Sequence, residues 1–380
     1  MNKISRVGII TMHRINNYGS VLQTYATQHI LNSLGLYCEV IDYVFPNSYH
    51  FHKGYPYSPT SWKHKIAKAL NLSSIGRKAK KFDSFRKKNL RLSKTYNTYE
   101  ELVKMPPTYD LYITGSDQVW NPKHMKGDKA FLLGFTKEKE RRISYASSFA
   151  CNEIPDEYKS TYIKLLSRYQ NISVRETNGS NLLKKLLKKE SFVALDPTLL
   201  LSKYDWEKQF LLDKKNPYHE KRYILLYMLG YAFDPTPYIY HLVKYIQEKY
   251  QLEVYSFSPI PKEFKLDKVH IIKEASPRDF LQLFQEAECV ITSSFHGTAF
   301  AVNFGCSLYS IINDKNGSDD RQSSLLKELN LENCAIPKNT NLDSLPTIEE
   351  NKTYKSQEQL NALRKESISF LKNSIKEPCY

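Results

Sequence analysis

Short apolar runs alternate with amphipathic stretches of helical length, and this alternation constrains the fold more than any other feature. Strands buried between two layers of helices read as continuous apolar runs, because neither face of their sheet meets water. Strands are expected on this reading at residues 7–11, 37–42, 109–114, 142–147, 172–174 and 192–195. Residues 20–34, 157–169 and 182–187 lie between them and carry helical spacing. A second series begins beyond a Pro-bounded stretch at 197–217. Its strands are expected at 223–228, 252–255, 289–292 and 308–312, and its helices at 238–250, 297–304 and 323–329. Ser276 is expected to cap a further helix, with Pro277 at its first position. The fold class expected is α/β: two doubly wound, Rossmann-like domains facing a cleft, residues 1–200 and 201–345. Residues 346–380 follow, with a last helix at 357–375. In such sheets ligands sit beyond the carboxyl ends of the strands.

Composition narrows the class. Of the 380 residues 41% are hydrophobic and 25% charged, which fits a folded protein and not a disordered one. No run approaches the roughly 18 apolar residues of a membrane span, and the apolar run in MNKISRVGII is too short for a secretory leader. Six cysteines lack C-x-x-C spacing, so a cytoplasmic location is expected, with no zinc knuckle, iron–sulfur cluster or disulfide scaffold. No metal-ligand cluster is visible, and neither metal nor cofactor is expected.

The net charge of +15 is concentrated. Positions 62–94 hold twelve Lys/Arg and one acid, Asp83, a local net of +11 that leaves +4 for all the rest. This stretch lies in a basic helical insertion at about 48–95, where Trp62, Phe82 and Phe85 interleave with the cations. It has three readings: a solvated face, a peripheral dock for an anionic membrane at its inner face, and a nucleic-acid surface. The last lacks any accompanying nucleic-acid motif, and no nucleic acid is expected.

Five short motifs carry candidate chemistry. In Thr292-Ser-Ser-Phe-His296-Gly-Thr an apolar strand runs into a helix. The Gly297 and Thr298 amides and the Ser293 and Ser294 hydroxyls are expected to face an anion. His296 is placed to move a proton there, or else supports a turn. Arg175, in Ser173-Val-Arg-Glu176, ends a strand; it either clamps a carboxylate or phosphate or pairs with Glu176 or Asp196. Ser116, Asp117, Gln118 and Trp120 offer hydrogen bonds and a stacking face to a sugar, or form a capped turn beside a core Trp. Asn17, Tyr18 and Gly19 stand where doubly wound folds place phosphate turns, without G-x-G-x-x-G or a P-loop. Arg321 is a candidate second anion ligand, and Arg278 a weaker one.

Taken in order, NNYGSVLQTYA, GSDQVWN, SVRE, DPTLL and SSFHGTAFA resemble the polysaccharide pyruvyl transferase family. The resemblance runs from Asn16 to the Arg321 region. It implies a glycosyltransferase-B-like fold, with the last helix packing back on the first domain. It also implies transfer of a pyruvyl group from phosphoenolpyruvate to two hydroxyls of a sugar, free or lipid-linked, giving a cyclic ketal on a bacterial surface polysaccharide. The family's essential His and Arg correspond by position to His296 and Arg175. Where many members carry Arg two residues before that His, this chain has Ser294. Two rival readings are a nucleotide-sugar glycosyltransferase using the same two-domain cleft and a non-enzymatic adaptor using the basic stretch.

Overall fold

The computed structural model describes residues 4–45, 74–211, 216–218, 221–230, 232–314 and 319–376. They form two compact units, Met1–Leu200 with Leu363–Tyr380, and Leu201–Ala362.

In the first unit β1 (Arg6–Ile10), α1 (Tyr18–Ser33) and β2 (Tyr37–Tyr43) open the alternation. Asn17 caps α1 by accepting the Ser20 N–H, and Gly35 follows its end with φ +81, a left-handed value that costs glycine little. Next come α2 (Ser74–Asn89), β3 (Leu92–Tyr96), α3 (Tyr99–Lys104), β4 (Leu111–Thr114), α4 (Pro122–Met125) and β5 (Arg142–Ser144). Beyond them are α5 (Asp156–Leu166), β6 (Ser173–Val174), α6 (Thr177–Leu187), β7 (Phe192–Val193) and α7 (Pro197–Leu200). The five-stranded sheet is parallel, in the order β3-β2-β1-β4-β5. β6 pairs with β7, and single bridges at Ile143–Asn171 and Ser147–Val174 continue the sheet from β5.

Two expectations change here. The expected insertion at 48–95 ends earlier, because 92–96 is the edge strand β3, paired with β2. The expected strand at 142–147 stops at Ser144, and Ala146 takes a left-handed φ of 50. Residues 46–73, including Trp62 and the aromatic loop before it, lie outside the described residues.

The second unit opens with α8 (Lys203–Phe210), closed by a capping box between Ser202 and Asp205. It continues through β8 (Tyr223–Tyr227), α9 (Tyr238–Tyr250), β9 (Glu253–Ser256), β10 (Val269–Ile271) and α10 (Pro277–Glu286). The Ser276 cap and Pro277 stand as expected at α10, with Asp279 completing the box. Then follow β11 (Cys289–Thr292), α11 (Phe295–Phe304), β12 (Ser307–Ile312), α12 (Arg321–Glu328) and β13 (Ala335–Pro337). The strand order, β10-β9-β8-β11-β12-β13, is that of a dinucleotide-type doubly wound sheet.

The last helix, α13 (Gln357–Lys376), belongs to the first unit from Leu363 onward. There Arg364 donates to the Leu199 carbonyl (2.6 Å), the Leu195 amide donates to Ser367 (3.1 Å), and Phe370 stacks on Phe192. Residues 346–362 stay with the second unit. Tyr309 and Ser307 donate to the Pro346 and Ile348 carbonyls (2.6 and 2.8 Å), tying this segment along β12.

The order of strands in each sheet reverses its direction of winding at one point, between β1 and β4 and between β8 and β11, although all these strands run parallel. The loops leaving those strands, with the first turns of the helices that follow, hold most of the residues singled out by motif.

Candidate active site

In the first unit, the loops after β1 and β4 meet closely. A Cβ on Gly115 would stand 3.1 Å from the Thr11 Cβ, and Thr11 donates to the Ser116 carbonyl at 2.8 Å. Asp117 follows with φ 79, a conformation L side chains rarely adopt. The surroundings hold it there. Its Oδ2 accepts from Ser20 (2.5 Å), its Oδ1 from the Gln118 amide (2.9 Å), and its carbonyl from the Ser148 amide (2.9 Å). Strain secured in this way is typical of functional sites.

Arg175, 4% exposed, directly follows the short strand β6. Its Nη1 donates to Asp196 Oδ2 at 2.8 Å, and its Nη2 lies 3.9 Å from Asp117 Oδ1. Asp196 also accepts from Ser116 Oγ (2.8 Å) through Oδ2, and from the Thr198 amide and hydroxyl (3.0 and 2.8 Å) through Oδ1. Arg175 therefore pairs with Asp196, one of the two expected partners. Glu176 instead takes Ser148 Oγ and the Phe149 and Ala150 amides on one oxygen, bracing the loop after β5.

Of the expected acceptor residues, Trp120, Asn17, Tyr18, Gly19 and Gln118 are each buried or engaged within the first unit. Trp120 is 0% exposed, donates to the Phe131 carbonyl (3.1 Å), and packs on Phe149 and Tyr169. An enclosed indole has no face for a sugar ring, so it is a core residue. The buried Tyr18 ring lies against Phe82, with the Lys78 ammonium over it at 4.7 Å. Burial lowers the Lys78 pKa to about 8. Asn17 spends its side-chain oxygen on the α1 cap, and Gly19 is buried in the first turn. Gln118 is buried and accepts from Asn121 at 2.7 Å.

Sequence reading missed a second buried cluster on the β1 loop. His13, wholly enclosed, places Nε2 on Asp42 (2.7 Å) and Nδ1 on the Thr11 carbonyl (3.2 Å). Asp42 also receives Arg14 through two nitrogens (2.7 and 2.6 Å) and Thr95 (2.6 Å). Burial pushes the Asp42 carboxyl up, but the hydrogen bonds from His13, Arg14 and Thr95 outweigh it and hold it well below the carboxylate range. Arg86, from α2, donates to Asn16 (2.9 Å) and Asp83 (2.5 Å), tying the helix to this loop. These partners lie 29 and 70 residues away in the chain, so no local pattern marks them.

In the second unit, His296 is 5% exposed in the first turn of α11, edge-on to Phe295. Its neighbours do not form the expected anion cradle. Ser293 Oγ donates to the Leu229 carbonyl and accepts the Leu229 amide, both at 2.9 Å, and so zips the loops after β8 and β11 together. Ser294 caps α11 by accepting the Gly297 amide (3.4 Å). The Thr298 amide bonds to the Ser294 carbonyl (2.9 Å), and its hydroxyl shares a contact with Ser310 (2.7 Å). Gln322, unremarked in the sequence, donates to the same Ser310 at 2.6 Å. Gly297 is required for packing: a Cβ there would fall 2.2 Å from Thr292 Oγ1 and 3.0 Å from the Tyr227 ring. Arg321 is buried, with Nε and Nη2 on Asp319 at 2.6 and 2.5 Å. Arg278 keeps Nε and Nη2 shielded, with no acceptor among the described residues. Those residues also contain no group of His, Cys, Asp or Glu arranged to hold a metal ion.

Two Rossmann-like α/β units with helices on parallel sheets define a two-domain fold of the glycosyltransferase-B type. Solved structures share it. A UDP-GlcNAc 2-epimerase from Methanocaldococcus jannaschii matches with TM-score 0.52 at 15% identity, covering 94% of this chain and 93% of its own. One from Rickettsia bellii gives 0.52 at 10%, covering 98% and 97%. Arabidopsis thaliana UGT89C1 complexed with UDP-L-rhamnose gives 0.50 at 11%, covering 98% of both chains. At such identities the likeness is one of fold. The chain itself belongs to the polysaccharide pyruvyl transferase family, whose model matches residues 17–315. It is accordingly a transferase. A comparison with curated proteins finds no match.

Proposed function

We propose that the protein transfers the pyruvyl group of phosphoenolpyruvate to two hydroxyls of one sugar in a bacterial surface polysaccharide or its lipid-linked precursor. The family match over residues 17–315 carries this reading. Phosphoenolpyruvate is a vinyl phosphate bearing a carboxylate. Protonation at C3 makes C2 electrophilic, one sugar hydroxyl adds there, phosphate leaves, and the second hydroxyl closes the ketal. Of the two hydroxyl protons, one ends on C3, completing the methyl group, and the other departs with phosphate.

Such a step needs a fixed cation for the donor's charge and a group that exchanges protons. Arg175 is assigned to the donor anion, its guanidinium oriented by Asp196. His296 is assigned to proton transfer, as an acid at C3 or toward the leaving phosphate. Asp117, held at a strained φ, is assigned to the acceptor hydroxyls together with Ser116 and Gln118. A peripheral position at the inner face of a membrane would bring the enzyme to a lipid-linked acceptor.

Ligand-dependent melting tests the donor, since a ligand bound only by the folded state raises the apparent Tm. Phosphoenolpyruvate should raise it, and Arg175→Ala should abolish the shift. Stabilisation by UDP or a UDP-sugar, with none by phosphoenolpyruvate, would support a nucleotide-sugar glycosyltransferase instead.

A further inference from the structure

Helix α2 has two opposite faces. Ala79, Phe82, Phe85 and Arg86 are buried, and the Phe82 and Phe85 rings pack against Tyr18 and Tyr25 of α1. Arg77, Lys80, Lys81, Ser84, Lys87 and Lys88 are exposed. At about 100° per residue these six fall within roughly 120° of arc, along about 16 Å of helix. Among the described residues of the helix, no acidic or apolar side chain enters that arc. Asp83, the one acid of the segment, turns to Arg86 at 2.5 Å. Arg91 and Lys94, past the helix end, are exposed as well.

We infer that this stripe docks the protein on a bilayer rich in anionic phospholipid. Charge complementarity names the occupant. Five helical cations on one narrow face match a flat sheet of headgroup phosphates, which asks for charge and no side-chain recognition. Nucleic acid is served less well, because the arc offers neither an aromatic for base stacking nor an amide for base edges. With no apolar residue in the arc, binding is electrostatic, reversible by salt, and without insertion into the acyl region. The inference deepens the proposed membrane position of the enzyme but does not depend on the donor.

Vesicle co-sedimentation of the full chain, without donor or acceptor, tests it. Binding to phosphatidylglycerol-containing vesicles is expected, with none to pure phosphatidylcholine and loss at high salt. At about 1 kcal/mol per cation near an anionic surface, each Lys→Gln change should weaken partitioning about fivefold. The quadruple variant Lys80→Gln, Lys81→Gln, Lys87→Gln, Lys88→Gln should weaken it on the order of several hundredfold with its Tm kept. The same four positions changed to Arg should retain binding. So should Lys262→Gln, Lys265→Gln, Lys268→Gln, which removes exposed cations from the other unit. Absence of binding to the anionic vesicles, equal loss in the control variant, or tighter binding to a short oligonucleotide at the same salt would overturn the inference.

Discussion

Asp196 accepts the Arg175 guanidinium at 2.8 Å on the oxygen that also takes the Ser116 hydroxyl. Three motifs that read separately in the sequence, around Ser116, Arg175 and Asp196, thus form one buried knot at the carboxyl end of the first sheet. Arg175→Ala should lower kcat/KM about 10²–10³-fold, the order of losing one preorganised electrostatic contact. Arg175→Lys should not rescue it, since an ammonium cannot reproduce the fixed fork. Asp196→Asn should raise KM for the donor more than it lowers kcat, because it disturbs only the fork's orientation. Steady-state kinetics of the three variants check this.

His296→Ala should reduce kcat about 10²–10⁴-fold, the usual range for general acid–base catalysis. A wild-type pH–rate profile should carry a limb that the variant lacks. A variant with full turnover and an unchanged profile would remove His296 from the chemistry.

Gly297→Ala should destabilise the second unit by about 1–3 kcal/mol, the range for overpacking, because its Cβ would strike Thr292 Oγ1. Thr292→Ala should partly relieve the clash in the double variant. Urea unfolding of the four-member cycle measures both effects.

Trp120→Ala should cost about 3–5 kcal/mol of stability through the cavity it leaves. In the fraction that stays folded, KM for the acceptor should hardly change. A sugar-stacking Trp would give the reverse, a large KM effect with small stability loss.

Asp42 couples stability to pH. Its carboxyl lies below the unfolded value of about 3.9, so the folded state gains stability above that pH and loses it as pH falls toward the lower folded value. Urea midpoints measured from pH 7 downward should drop more steeply for wild type than for Asp42→Asn. At neutral pH the substitution should cost roughly 3–5 kcal/mol, because it removes the buried counter-charge of Arg14 and the carboxylate that the enclosed His13 ring bonds to.

The alternating architecture was legible because strands such as β4, β8 and β11, buried on both faces, stand out as apolar runs. β3, β10 and β13 escaped notice because they are part-exposed edge strands; β3 and β10 have mixed polarity, and β13 is only the three residues Ala-Ile-Pro. At the candidate site the motifs were visible but several roles were not. A Ser-Ser-x-x-Gly string at a strand–helix junction reads alike whether it cradles an anion or caps and packs a helix. Only the contacts of Ser293 with Leu229 and of Gly297 with Thr292 separate the two. The His13–Asp42 pair joins residues 29 positions apart, beyond the reach of local spacing, whereas Asp196 was one of the two partners the sequence left open for Arg175.

The most direct test combines the chain with phosphoenolpyruvate and a panel of free and lipid-linked hexosides. Released phosphate and pyruvyl-substituted sugar are then quantified in the same reaction. The account predicts acceptor-dependent turnover with one phosphate released for each ketal formed, abolished in Arg175→Ala and in His296→Ala. Phosphate released without a pyruvylated sugar, or no turnover across the panel while a UDP-sugar is consumed, would contradict it.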